Sequence, residues 1–319
     1  MGSIEMHAFS LLAPAKINLY LEIIGDRADG FHELVMVLQA ISLCDRVDVR
    51  AGSTERIHVS CDTPGMPPET ENLAYKAAQL MCEQFPAAHA QFGGVEIAIA
   101  KEIPVAAGLA GGSANAAATL VGIDHLWQLG LTVPELQELA AQLGSDVPFC
   151  IAGGTALATG RGECLSAIGS PDPLSVVLAK SRVLSVSTAW AYKTHRQQFS
   201  STYVTRPEDI ETRATQVHSG PLVRAIAHRD NKQIGNLLRN DLERVVLPEH
   251  TLVAQLRSAF LEQRVLGAMM SGSGPTVFAL CESPDRAEEV MQAVRARIDN
   301  PTVDFWIAQL SGAGVQILD

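Results

Sequence analysis

Lys16 and Asn18 stand one residue apart in the run Ala13-Pro-Ala-Lys16-Ile-Asn18-Leu19. In a strand, residues i and i+2 share a face, so a charged amine and an amide that both donates and accepts would meet at one spot. That pair suits a substrate oxygen; it also suits an edge strand whose lysine guards against aggregation. Asp146, in Gly144-Ser-Asp146-Val-Pro-Phe149, is expected on a loop after a helix and before a strand. A carboxylate there, beside a lysine, would orient an attacking hydroxyl and accept its proton. The other reading is a helix-ending turn in which the aspartate bonds its own backbone. An alcohol is a far weaker acid than a carboxylic acid, so proton transfer would come late and positioning would dominate. Phe31 and His32 in Gly30-Phe-His-Glu33 offer a stacking ring beside an edge-bonding imidazole, or a core phenylalanine beside a surface histidine.

A second kind of chemistry is written in Ile103-Pro-Val-Ala-Ala-Gly-Leu-Ala-Gly-Gly-Ser-Ala-Asn115. Val95, Ile97 and Ile99 alternate with Glu96, Ala98 and Ala100 before it, the period of a strand. Ala116, Leu120, Ile123 and Trp127 follow on one helical face. The segment therefore turns a strand into a helix. Gly108, Gly111 and Gly112 let the backbone close around a ligand, and Ser113 or Asn115 is placed to cap the helix. A helix N-terminus of this kind favours an anion, above all a polyphosphate. Other nucleotide fingerprints fail: Gly25 to Gly30 has Walker spacing, but Phe31-His32 replaces the required Lys-Ser/Thr. His228-Arg229-Asp230 imitates a protein-kinase catalytic loop, with Gly235 where asparagine is needed. Met270-Ser-Gly-Ser-Gly-Pro275 is a second glycine-rich loop, whose Gly272 and Ser273 either close over phosphates or make a tight hairpin.

The elements that must hold these residues alternate along the chain. Strands are expected at Leu11–Ile24, interrupted by Pro14, and at Val35–Val49, Gly153–Thr159 and Leu174–Ala179. Helices are expected at Glu71–Gln84, opening near Asn72, at Val133–Leu143 with Pro134 in its first turn, and near 186–198, 208–216, 221–228 and 249–263. Residues 264–281 read as strand, turn, strand; Asp285–Ile298 is a helix, and the chain ends with a strand near 303–309. The proline-rich break at Ser170-Pro-Asp-Pro173 divides the chain into residues 1–171 and 172–319, two α+β domains sharing a cleft.

At 319 residues, 47% hydrophobic and 18% charged, the composition is that of a globular protein with ample core. The net charge of −11 argues against a nucleic-acid or anionic-membrane surface. An anionic substrate would need a locally basic or N–H-rich pocket. No run reaches a membrane span of about 18–20 apolar residues, and Met1–Met6 has neither the blocks of a signal peptide nor a myristoylation pattern, so a cytoplasmic protein is expected. The six cysteines contain no Cys-x-x-Cys pair and the histidines no His-x-x-x-His, which disfavours zinc and disulfides. A hard cation bridging phosphates is the expected metal.

Three segments in order, Pro14-Ala-Lys-Ile-Asn-Leu19, Pro104 to Ala114 and Met270-Ser-Gly-Ser-Gly274, resemble the motifs of the GHMP kinases, small-molecule kinases named for galactokinase, homoserine kinase, mevalonate kinase and phosphomevalonate kinase. The resemblance spans nearly the whole chain. It implies a two-domain α+β fold, with an N-terminal domain like domain 2 of ribosomal protein S5 and a ferredoxin-like C-terminal domain. Asp29-Gly-Phe-His-Glu-Leu34, Leu143-Gly-Ser-Asp-Val-Pro148 and Asn240-Asp-Leu-Glu243 resemble the branch that acts on 4-diphosphocytidyl-2-C-methyl-D-erythritol. This implies transfer of the γ-phosphoryl of ATP to the 2-hydroxyl of the methylerythritol moiety, in the non-mevalonate (MEP) isoprenoid pathway, on a small molecule carrying cytidine diphosphate. By the same resemblance, Lys16 and Asp146 are the catalytic pair and Asn18 meets the substrate hydroxyl or its phosphates. His32 bonds the cytosine edge, and Phe31 and Tyr192 form aromatic walls around the base, with Gly272 and Ser273 on the substrate side. The ATP phosphate loop is Pro104, Val105, Ala106, Ala107, Gly108, Leu109, Ala110, Gly111, Gly112, Ser113 and Ala114, with Lys101 and Asn72 on the adenine side. Ser113 is the one candidate ligand for Mg2+, expected to arrive bound mainly to ATP and water. Two departures stand out. Phe31 replaces the tyrosine often found there, and alanines replace glycines in the phosphate loop, where they fit if φ stays negative. The rival readings are a GHMP kinase for mevalonate, homoserine or a sugar, and a non-catalytic relative that binds the ligand as a sensor.

Overall fold

The computed structural model describes residues 8–52, 54–63 and 68–318, so the N-terminal Met1–Met6 lies outside the described residues. Two long antiparallel strands, β1 (Ala8–Asp26) and β2 (His32–Ala51), form the spine of the first sheet. Strand β3 (His58–Cys61) follows, then the helices α1 (Leu73–Gln84) and α2 (Pro86–Phe92), then β4 (Val95–Ala100). The sheet runs β12-β1-β2-β4-β3, where β12 (Gln316–Leu318) is the last strand of the chain. Strand β5 (Thr155–Gly160) pairs with both β2 and β6 (Cys164–Ala167), and the short β8 (Arg239–Asn240) pairs parallel with β1. The second sheet, in the order β11-β7-β10-β9, joins β7 (Ser175–Ser181), β9 (Gly267–Met270), β10 (Val277–Cys281) and β11 (Val303–Gln309), all antiparallel.

Pro14 does not interrupt β1. The register shifts between Pro14 and Lys16 and again between Asn18 and Tyr20, so two irregularities bracket the triplet Lys16-Ile17-Asn18. Bulges absorb a residue that cannot donate to the ladder and re-aim the side chains next to it. Here the Lys16 amide leaves the sheet and donates to the Leu109 carbonyl, 3.1 Å away.

Helix α3 (Gly111–Leu126) lies across β1 and β2. It is not the one-faced helix that Ala116, Leu120, Ile123 and Trp127 suggest. Ala116, Ala117, Ala118, Leu120 and Ile123 are all fully buried, so burial extends well beyond one face of the helix. Small residues make the fit possible: a Cβ on Gly122 would stand 2.7 Å from Val49 Cγ2. Helices α4 (Val133–Ala141) and α5 (Val147–Ala152) complete this half. Thr132 and Glu135 close α4 with a capping box.

The remaining helices are α6 (Thr188–Phe199), α7 (Pro207–His218), α8 (Pro221–Ala227), α9 (Asn231–Asn236), α10 (Glu243–Glu249), α11 (Thr251–Glu262) and α12 (Pro284–Ile298). Three expectations are corrected. Asp146 opens the helix α5, not a strand, because Pro148 sits in the first turn, where a missing N–H costs nothing. The strand at 303–309 is not the last: after it, Gln39 Nε2 donates to Ser311 O at 3.0 Å, and β12 returns to pair with β1. Between α8 and α11 the chain adds α9, β8 and α10, pieces too short to show a period.

Candidate active site

The two halves enclose a cavity of about 1060 Å³. Lys16 and Asn18 face it from β1, both buried, with Lys16 Nζ donating to Asn18 Oδ1 at 2.9 Å. The reading of Lys16 as an exposed edge-strand guard is thereby excluded, since its side chain is buried. Asp146 enters from the start of α5 and caps nothing; its Oδ2 lies 3.6 Å from Lys16 Nζ. The amine from the first strand and the carboxylate from a distant turn thus meet at one point.

The glycine-rich loop of residues 104–114 borders that point. Ala106, Gly108, Ala110 and Ser113 line the cavity, while Ala107, Leu109 and Ala114 are buried in the core and anchor the loop from behind. Pro104, Val105, Gly111 and Gly112 complete the loop without lining the cavity. The helix N-cap is Ala110, in the left-handed region at φ 59 and ψ 28, and no side chain caps α3. Ser113 and Asn115 both lie inside the helix, so neither plays the expected capping role. The first N–H groups of α3 are left without an intrahelical or side-chain partner, an arrangement that favours an anion. Ala106 also has positive φ, 51°, so both alanines adopt the conformation the sequence reading required them to avoid. The loop keeps a glycine-like path despite having Cβ atoms there.

The second glycine-rich loop packs on the first. Ser271 Oγ donates to Gly108 O at 3.0 Å, and a Cβ on Gly272 would come 3.4 Å from Asn18 Oδ1 and 3.6 Å from Lys16 Nζ. Gly272 and Ser273 line the cavity, and Ser273 Oγ lies 2.8 Å from Thr188 Oγ1. Sequence reasoning gave no role to the groups that hold this loop. Asn240 Nδ2 donates to both Met270 O and Gly272 O at 2.8 Å, and Met270 N donates to Glu243 Oε1 at 2.9 Å. Burial raises the Glu243 pKa, opposed by the Met270 amide and Arg257. The signal was present in the segment Asn240-Asp-Leu-Glu243, but not its meaning.

At the other end stand Phe31, His32 and Tyr192. Phe31 is 53% exposed, whereas His32 is buried and packs its ring 5.0 Å from that of Tyr192. Burial, helped by Arg196 and opposed by Asp26, lowers the His32 pKa. Its enclosed Nε2 makes no hydrogen bond, with Asp26 Oδ1 3.7 Å away. The imidazole lines the cavity with its Nε2 enclosed and unpaired and the Tyr192 ring against it. Lys16, Arg161, Lys193 and Arg196 line the space against the single carboxylate of Asp146. This acidic protein therefore encloses a basic pocket.

Lys101 and Asn72 are not brought to the cavity. Lys101 is tied into a buried group with Asp45 and Asn115 Oδ1, beneath Gly111. Asn72 caps α1 by accepting from Ala74 N at 2.9 Å. Both support the loop's surroundings instead of lining the space. Among the described residues, no group of three or more His, Cys, Asp or Glu side chains could hold a metal ion.

The profile of the GHMP kinases N terminal domain matches residues 72–154, and that of the GHMP kinases C terminal matches residues 222–300. A 4-diphosphocytidyl-2-C-methyl-D-erythritol kinase of Trichodesmium erythraeum is 57% identical over 98% of this chain and 99% of its own. The chain belongs to the GHMP kinase family. A crystal structure of 4-(cytidine 5'-diphospho)-2C-methyl-D-erythritol kinase is 32% identical to this GHMP kinase, with a TM-score of 0.72 over 95% of this chain and 100% of that one. Homoserine kinase from Cytophaga hutchinsonii, 20% identical, shares the fold at a TM-score of 0.76, covering 100% of this chain and 99% of that one. The fold is therefore common to kinases with different substrates, and the substrate must be read from the cavity.

Proposed function

We infer that this GHMP kinase transfers the γ-phosphoryl group of ATP to the 2-hydroxyl of 4-diphosphocytidyl-2-C-methyl-D-erythritol, giving the 2-phosphate and ADP in the MEP route to isoprenoid precursors. The observation that supports the reading is His32, its Nε2 unpaired and its ring packed against Tyr192, with Phe31 lining the same cavity as Lys16 and Asp146. Neither a hydroxy acid nor a sugar needs a flat slot with an edge-reading imidazole; a cytosine ring does.

Asp146 orients the hydroxyl and takes its proton late in the reaction. Lys16, 3.6 Å from that carboxylate and held by Asn18, offsets charge developing on the transferred group. The uncapped start of α3 and the turn at Gly108 hold the triphosphate in line. In phosphoryl transfer the protein's contribution is mostly alignment and charge stabilisation. The cavity's one carboxylate is committed to Lys16, so Mg2+ would be held by the phosphates, water and the Ser113 hydroxyl, where it supplies charge neutralisation. No described helix is long and apolar enough to cross a membrane, which is compatible with the cytoplasmic location we propose.

The test is to incubate the purified protein with ATP and 4-diphosphocytidyl-2-C-methyl-D-erythritol and look for the 2-phosphate. Phosphorylation of mevalonate, homoserine or galactose in preference to that acceptor overturns the substrate. Absence of ATP turnover with every acceptor points to a ligand sensor.

A further inference from the structure

Arg161, Lys193 and Arg196 line the cavity without a task in the mechanism above, and of these Arg161 is the one that lies over an aromatic ring. Arg161 sits at the tip of the β5–β6 hairpin, between Gly160 at φ 71 and Gly162 at φ 111. The turn is rigidly set. Glu163 Oε2 accepts from the Arg161 amide at 2.7 Å, and a Cβ on Gly162 would stand 2.5 Å from Met36 Cε. The backbone thus delivers the arginine to one place. Its guanidinium carbon lies 5.0 Å from the centroid of the Phe31 ring, within the range of a cation–π contact. Its enclosed Nε donates to nothing, and the nearest carboxylate oxygen, Glu163 Oε1, is 3.6 Å away. A well-placed guanidinium with an idle donor therefore lines the substrate cavity.

We propose that Arg161 is a specificity-determining residue for the cytidine-diphosphate end of the substrate. Its plane holds the Phe31 ring in the orientation that stacks on the base, and its charge and free N–H groups engage the diphosphate. Two features favour this over a surface ion pair. Phe31 is more than half exposed and has no other aromatic neighbour among the described residues, so Arg161 supplies a partner that the core does not. The carboxylate nearest to the guanidinium, that of Glu163, already accepts from the Arg161 backbone, leaving the guanidinium only loosely paired. A planar, fork-shaped cation matches a diphosphate better than a lysine would.

This inference rests on the cytidine-substrate reading, and the experiment separates the two. Wild-type turnover of 4-diphosphocytidyl-2-C-methyl-D-erythritol tests the reading. Arg161→Met and Arg161→Lys, compared with wild type, test the arginine. For Arg161→Met we expect KM for the cytidine substrate to rise about ten-fold, from loss of the stacking contact and of a charged hydrogen bond, with KM for ATP moving less than two-fold. Competition by CDP should weaken about ten-fold and competition by cytidine about three-fold. Arg161→Lys keeps the charge and loses the plane, so CDP should recover part of its advantage over cytidine. An unchanged KM for the cytidine substrate overturns the proposal, as does an equal rise in KM for ATP. Equal weakening of CDP and cytidine overturns the diphosphate contact.

Discussion

Replacing Gly108 by alanine measures how closely the two glycine-rich loops must approach. Gly108 has φ +75, and a Cβ there would overlap the Ser271 carbonyl oxygen and come 3.1 Å from both N and O of Gly274. The left-handed conformation alone costs a non-glycine residue about 1–2 kcal/mol. Relieving the overlap requires the loops to part by about 1 Å, at a further cost of about 1–3 kcal/mol. The bond from Ser271 Oγ to Gly108 O, 3.0 Å long, is then lost, adding about 1 kcal/mol. Gly130→Ala isolates the first contribution. Its φ is +69 and nothing lies within 4 Å of the added methyl, so it should cost about 1 kcal/mol and leave turnover alone. Gly108→Ala should lose about 3–6 kcal/mol in denaturant unfolding. A displacement near 1 Å beside Lys16 should also lower kcat/KM for ATP about a hundred-fold. The reasoning fails if Gly108→Ala destabilises no more than Gly130→Ala, or if its kcat/KM for ATP stays within about three-fold of wild type.

Two further outcomes follow from the packing. Ala110→Gly removes the strain at φ 59 and should raise the apparent Tm by about 2 °C; a fall in Tm would show that the methyl group supports the loop. His195 is enclosed, its Nδ1 2.9 Å from the Tyr203 hydroxyl and its Nε2 unpaired, and burial, with Arg244, His32 and Arg239, lowers its pKa to about 4 against the opposing Asp241. An unfolded histidine binds its proton near pH 6.5, at about its ordinary value. Between about pH 6.5 and about pH 4 the unfolded chain therefore holds more protons, and stability falls as pH falls, by on the order of 3 kcal/mol. Below that window both states are protonated and the slope ends. Urea titrations across the window should show the slope in wild type and a flatter one in His195→Gln; an unchanged slope in the variant removes His195 from the account.

The sequence was most readable where local chemistry and burial agree. Val95, Ile97 and Ile99 do alternate into the core, and Asn72 and Pro134 do mark helix starts. Lys16 and Asn18 were recognisable as a pair because a strand puts alternate residues on one face. What local pattern could not show was how distant segments pin that strand. The bulges around Lys16 exist because its amide bonds Leu109, some ninety residues on, a partner invisible in the local run. Lys101 was placed on the adenine side by the family resemblance; the buried Asp45, far off in sequence, pairs with it instead. The alanines at 106 and 110 were read as fitting if φ stays negative, and both have positive φ. Their neighbours Ala107 and Leu109 are buried in the core, a packing that a local run does not display. Asn240 ends a two-residue strand with no period to read and Glu243 follows it, and their work appears only once the 270–274 loop is seen beside them.

The account's central claim is that Asp146 acts on the acceptor hydroxyl and not on ATP. The most direct measurement compares wild type with Asp146→Asn, a side chain of the same shape without the charge, by following formation of the 2-phosphate product in single turnovers and ATP affinity by titration. The expected result is a transfer rate about a hundred-fold to ten-thousand-fold lower, with ATP affinity within about two-fold of wild type. Transfer at the wild-type rate, or loss of ATP affinity in step with the rate, contradicts the claim.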